Sequence, residues 1–176
     1  MVNEQNKTLK AVQTAIQMEI DGKEFYLKAS QESGNPLGKE LLKSLAAAED
    51  THLQKFVQIY DAIRSQKGWP IIIIPPGSNE KLKTIVALVT EKLVSKIKAA
   101  TTELDAIQTA MAMENKTYDF YEIRGKTALY DAERGFYKTL AAQEREHHLV
   151  LLDYYEYLKD PAGWFVKKEH PSLDGG

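Results

Sequence analysis

Displaced against itself by 95 residues, the chain aligns without a gap, and this feature constrains its fold most. Positions 11–69 and their partners at 106–164 share 17 identities in 59, where unrelated sequences of this composition would share a few. The stretch 11–19 falls on 106–114, Phe25 and Tyr26 on Phe120 and Tyr121, and 43–52 on 138–147. Tyr60 meets Tyr155, and Gly68 and Trp69 meet Gly163 and Trp164. Any two amphipathic helices would share alanines and leucines. They would not share glutamate, histidine, tyrosine and tryptophan in register. The repeat predicts a single domain of two helical hairpins, 8–69 and 102–164, related by a pseudo-twofold axis, with a crossover at 70–101 and a tail at 165–176.

The pattern within each hairpin is helical. Between Thr8 and Ser33, Val12, Ile16, Phe25 and Tyr26 form a stripe among Ala11, Ala15 and Ala29. Gly34 stops it, and Asn35 before Pro36 suits an N-cap followed by the first helical position. A second helix is predicted from Pro36 to about Lys67, closed by Gly68. Residues 69–78 (WPIIIIPPGS) read as extended, a strand being the alternative that their prolines limit. Residues 79–99 read as an amphipathic helix carrying Leu82, Ile85, Val86, Val89, Leu93, Val94 and Ile97. A cap at Thr102 opens a helix to about Arg124, and the last runs from about Asp131 to Leu158. Five helices and no convincing sheet predict an all-α bundle of two hairpins with a long helical crossover.

Composition removes other classes. With 43% hydrophobic and 27% charged residues, 176 residues can bury one ordinary core. A net charge of −2 offers no field for nucleic acid or an anionic membrane. The absence of cysteine excludes disulfides, zinc–thiolate sites, iron–sulfur clusters and a rubredoxin-type iron centre. The first twenty residues hold no signal-peptide core, and the longest aliphatic run, Ile71 to Ile74, is too short to span a bilayer. A soluble, cytoplasmic protein is expected.

The chemistry-bearing residues follow from hairpin geometry. Glu19 and Glu49 lie fifteen residues either side of Gly34, so an antiparallel pair sets them at the same height, about 22 Å from the turn. Glu114 and Glu144 are likewise thirty apart, about Leu129. His52 follows Glu49 by three residues and His147 follows Glu144 by three, which shares a helix face. Four carboxylates and two imidazoles then point at one level of the core. Apolar neighbours such as Ile16, Ile20, Leu45 and Leu140 place that level inside. Buried together, four carboxylates could not all stay ionised without cations. One or two divalent metals are the simplest compensation, and the mixed oxygen and nitrogen set favours iron or manganese, with zinc an adventitious occupant.

Through Glu19 with Phe25–Tyr26, Glu49 with His52, Glu114 with Phe120–Tyr121, and Glu144 with His147, nearly the whole chain resembles the rubrerythrin branch of the ferritin-like superfamily. The resemblance implies a ferritin-like four-helix bundle and two non-haem iron ions held by Glu19, Glu49, His52, Glu114, Glu144 and His147. It also implies reaction with hydrogen peroxide or dioxygen. Two departures stand out. Full rubrerythrins carry a cysteine-ligated rubredoxin domain, which this sequence lacks, so electrons are expected from a donor in trans. Rubrerythrins also often place a further Glu three residues after the third-helix Glu, where this chain has Thr117.

His148 also lies one turn from Glu144 and is the alternative ligand or a neighbour of the ligands; the repeat register favours His147. Tyr26 and Tyr121, seven residues after Glu19 and Glu114, serve either as aromatic packing or as hydrogen-bond donors to a ligand carboxylate. Trp69 and Trp164 are expected to plug the bundle ends, and the helix at 79–99 to cover the bundle or a homodimer interface. Three functions fit: a di-iron oxidoreductase, which the pattern favours, an iron-handling or ferroxidase-type protein, and a bundle that holds zinc or nothing.

Overall fold

The computed structural model describes residues 2–74 and 101–164. Four long helices, α1 (Val2–Glu32), α2 (Pro36–Arg64), α3 (Thr101–Thr127) and α4 (Asp131–Lys159), make up its regular structure, with one helical turn at 161–164. No strand occurs among the described residues. Helix α1 packs along α2 and α3 along α4; the two hairpins then meet mainly through α1 on α3. No described helix is long and apolar enough to cross a membrane. The predicted crossover helix at 79–99 and the tail at 165–176 lie outside the described residues.

Each helix buries a seam in steps of three and four. Helix α1 turns Val12, Ala15, Glu19, Gly22, Tyr26 and Ala29 inward; α2 does the same with Leu42, Leu45, Glu49, His52, Phe56, Ile59 and Ile63. On α4 the seam is Glu133, Tyr137, Leu140, Glu144, His147, Leu151, Tyr154 and Leu158. An average step of 3.5 residues keeps a stripe facing its neighbours along a long helix, the packing of four-helix bundles. The Glu-x-x-His pairs occupy consecutive seam positions. They are therefore core residues by placement and polar by chemistry.

That polar layer splits the core in two. On one side Leu37, Leu41, Leu42, Leu45, Ile107 and Leu151 pack with Tyr154, Tyr157 and Trp164. On the other, Phe56, Tyr121, Phe136 and Tyr137 pack with Val12, Ile59 and Ile63. Fully burying each such side chain contributes about 1.5–3 kcal/mol, which offsets the cost of a layer that is not apolar. The expected end plugs are present: Trp69 packs on Phe136 and Tyr137, and Trp164 packs on Tyr157 while its Nε1 donates to Asp153.

Several boundaries differ from the sequence reading. Helix α1 begins before Thr8, at Val2. Helix α2 stops at Arg64 rather than near Lys67, because Gln66 adopts a left-handed φ of 59°. Its N–H reaches Ile63 O and that of Lys67 reaches Ala62 O, the paired bonds that close a helix, and Gly68 lies beyond them. Helix α3 already runs at Thr101, so the cap read at Thr102 falls inside it, and it continues past Arg124 to Thr127. The N-cap at Asn35 is as read: its Oδ1 accepts from the Leu37 N–H at 3.0 Å.

Glu103, in the first turn of α3, ties this turn to the other hairpin. Its Oε1 accepts from the Ser33 hydroxyl at 2.7 Å and from the Tyr154 hydroxyl at 2.9 Å. Gly38 makes the approach possible, since a Cβ there would sit 2.3 Å from the Tyr154 oxygen and 2.7 Å from Glu103 Oε1. Within a helix, Gly to Ala ordinarily gains up to about 1 kcal/mol. Here the clash outweighs that gain. Gly38→Ala is expected to destabilise the fold by about 1–3 kcal/mol in chemical denaturation, and Tyr154→Phe in the same chain to recover part of the loss. Unchanged or increased stability of Gly38→Ala alone would show that the junction is loose.

Candidate metal centre

All six residues singled out by the repeat meet at one level between the two apolar clusters. Glu19 comes from α1, Glu49 and His52 from α2, Glu114 from α3, Glu144 and His147 from α4, and none is more than 4% exposed. They form two overlapping donor sets. One contains Glu19, Glu49, His52 and Glu144; the other contains Glu49, Glu114, Glu144 and His147. Within each set, one donor atom per residue lies within 4.8 Å of all the others. Glu49 and Glu144 belong to both.

The oxygens divide cleanly between the sets. Glu144 Oε1 lies 3.2 Å from His52 Nδ1, and its Oε2 lies 3.4 Å from His147 Nδ1. Glu49 Oε2 is 3.9 Å from His52 Nδ1, and its Oε1 is 3.3 Å from His147 Nδ1. These two carboxylates span the gap between the imidazoles, whose ring centroids are 5.8 Å apart. Glu19 and Glu114 are terminal. Glu19 Oε2 lies 3.3 Å from His52 Nδ1, and Glu114 Oε2 lies 3.7 Å from His147 Nδ1. Their other oxygens accept hydrogen bonds from tyrosine hydroxyls, Tyr121 to Glu19 and Tyr26 to Glu114. Each tyrosine thus serves the carboxylate of the opposite hairpin, not the one seven residues before it. Pairing 19 with 121 and 26 with 114 also shows that α1 and α3 run antiparallel.

The donor set fits metal ions on the evidence of its own unpaired atoms. Of the ten buried side-chain N and O atoms without a hydrogen-bond partner among the described residues, six belong to this layer: Glu19 Oε2, Glu49 Oε1, both oxygens of Glu144, and Nδ1 of His52 and of His147. Buried polar atoms are ordinarily satisfied. Six orphans facing one another, all oxygen or imidazole nitrogen, could hold metal ions of the iron or manganese type.

Three further residues shape the site. Gln143 Oε1 lies 2.7 Å from His52 Nε2, which leaves His52 Nδ1 turned to the carboxylates. The sequence reading did not single out Gln143, although it is the one mismatch between 45–49 and 140–144, standing where Ala48 precedes Glu49. Gly22 was also missed; it lies against the Glu49 carboxylate, where a Cβ would meet Oε2 at an ordinary contact distance of 3.5 Å. Thr117, its counterpart 95 residues on, spends its hydroxyl on Met113 O at 3.1 Å. His148, half-buried, turns its Nδ1 to Met111 O at 3.2 Å and belongs to neither donor set.

A family model for rubrerythrin matches residues 10–155, a span that contains both hairpins' donor residues. The chain belongs to the rubrerythrin family. Comparison with curated proteins and with solved structures gives no match. The 176 residues of this rubrerythrin hold no cysteine and therefore none of the thiolate ligands of a rubredoxin-type iron centre. The buried Glu/His layer of this rubrerythrin is compatible with a di-iron site.

Electrostatics show what the layer costs when metal-free. Burial, followed by the charge of Glu144, pushes Glu114 up to about 8. Burial and the same neighbour drive Glu49 well above the usual carboxylate range. Burial would push both imidazoles down, but their carboxylate neighbours, Glu19 and Glu144 at His52 and Glu114 at His147, hold them well above the ordinary value. Burial also raises Glu144, but His52 and His147 outweigh it and hold Glu144 below its usual range. Burial first, then the adjacent carboxylates, raises Tyr26 and Tyr121, so both remain protonated donors.

A carboxyl group that binds its proton more tightly when folded adds stability at low pH. That stability is lost as pH climbs from the ordinary 4.5 through about 8. The raised imidazoles act in the same direction. The metal-free protein should therefore lose thermal stability over this window. The rise in Tm on adding Mn(II) should grow with pH, because binding must release these protons. A metal-induced Tm shift that is flat from pH 5.5 to 8 would contradict the assigned protonation.

Proposed function

We propose that the chain is a di-iron oxidoreductase that reduces hydrogen peroxide or dioxygen with electrons from a donor in trans. The carrying observation is the overlap of the two donor sets at Glu49 and Glu144, whose paired oxygens face the two imidazoles separately. Only a dinuclear occupant uses every orphaned donor. Glu19 and His52 would complete one position, Glu114 and His147 the other. Bound there, a pair of irons supplies two electrons, and with two protons from solvent that suffices to reduce one peroxide to two waters.

The protein's own contribution is geometric. Glu49 and Glu144 fix the spacing of the two positions. The Tyr26 and Tyr121 hydroxyls hold the outer oxygens of Glu114 and Glu19, leaving one inward oxygen on each. With pKa values raised by burial, these tyrosines orient ligands and are not proton sources at neutral pH. The apolar clusters on either side keep bulk water from the layer, so charges there are weakly screened. With no cysteine in the sequence, turnover depends on an external reductant.

One observation favours a second reading, oxidation of Fe(II) in iron handling. Thr117 brings no seventh carboxylate to the layer, and its hydroxyl is engaged within α3. That leaves a six-residue set closer to a general ferritin-like site than to a peroxide-selective one. Sustained reductant-dependent turnover marks the first reading, and many irons accumulating per chain mark the second.

Two measurements test the proposal. Anaerobic Fe(II) reconstitution should give about two ions per chain. Glu19→Ala should reduce this to about one, Glu49→Ala and Glu144→Ala should lose both, and His148→Ala should change nothing. At most one ion in the unaltered protein would end the dinuclear reading. In stopped-flow oxidation of the reduced protein, both dioxygen and peroxide should react. Peroxide faster by many orders of magnitude would show that peroxide selectivity does not depend on a carboxylate at position 117.

A further inference from the structure

We propose that Gln143 makes the two metal positions unequal, so that the Glu19–His52 position fills first and holds its ion more tightly. This deepens the dinuclear reading above and rests on it. Around the two positions the donors come in like pairs: Glu19 with Glu114, His52 with His147, and the crossed hydroxyls of Tyr121 and Tyr26. Glu49 and Glu144 are common to both.

Gln143 breaks the correspondence. Both it and His52 are buried, and its Oε1 lies 2.7 Å from His52 Nε2. The residue 95 positions earlier is Ala48, whose side chain has no hydrogen-bonding group to offer His147 from α2.

The chemistry follows from the two ring nitrogens. When Nδ1 gives its lone pair to a metal, the neutral ring carries its proton on Nε2. At His52 that N–H donates to the Gln143 carbonyl oxygen. The bond fixes the rotation of the ring and makes Nδ1 a better donor. Removing such a partner from a ligating histidine typically costs about 10–100-fold in metal affinity.

The test is calorimetric titration of the metal-free full chain with Co(II) under anaerobic conditions. The unaltered protein should bind in two unequal steps. Glu19→Ala should remove the tighter step and Glu114→Ala the weaker one, which identifies the order without touching Gln143. Gln143→Met keeps the volume but not the acceptor. It should weaken the tighter step about 10–100-fold, with the total still about two. Gln143→Glu keeps an acceptor and should restore the step. In proton NMR of the Co(II) form, the hyperfine-shifted His52 Nε2–H should exchange slowly with solvent and be lost in Gln143→Met, a change that a packing role would not produce. Two equal steps, loss of the weaker step in Glu19→Ala, or an intact tighter step in Gln143→Met would each overturn the inference while leaving a dinuclear site standing. At most one ion in the unaltered chain would overturn both.

Discussion

Four carboxylates buried at one height, with two imidazoles among them, set the terms for everything else in this bundle. Like charges in a dry interior repel strongly, and burial alone penalises each of them. The fold answers with pairing rather than with distance. Glu144 stays ionised between two charged imidazoles, Glu49 and Glu114 are driven toward their protonated forms, and two tyrosine hydroxyls absorb one oxygen each from Glu19 and Glu114. What remains is a ring of donors turned inward. The long apolar seams above and below are what make such a layer tolerable, since a shorter bundle would have too little core to offset it.

Much of this was legible in the sequence because both relevant periods are visible there. The three-residue interval in Glu49–His52 and Glu144–His147 is a helix-face rule, and the thirty-residue interval between glutamates is a hairpin rule. Together they place six residues at one level. The tyrosine partners were not legible. Seven residues along a helix is about 10 Å, beyond the reach of a hydroxyl to its own helix's glutamate. Only the antiparallel run of α1 against α3 brings Tyr26 to Glu114 and Tyr121 to Glu19. Helix ends were also misread where an unexpected residue took a special conformation: Gln66, not Gly68, turns the end of α2.

The departures from symmetry carry as much information as the matches. Leu41 and Leu42 stand where the other hairpin has Phe136 and Tyr137, so two aliphatic side chains in one core cluster correspond to two aromatic ones in the other. Gly22 stands where Thr117 does, and Ala48 where Gln143 does. The ligand positions themselves are identical in type. The differences between the hairpins fall on residues around the donors, the positions from which a bound metal's environment can be altered.

The crossed tyrosine bonds have a consequence for what holds the centre together. Taken alone, each hairpin carries a hydroxyl without its acceptor and a carboxylate without its donor. Neither half of the chain owns the site; it exists at the surface where the halves meet. The covalent link between them therefore raises the effective concentration of one half around the other.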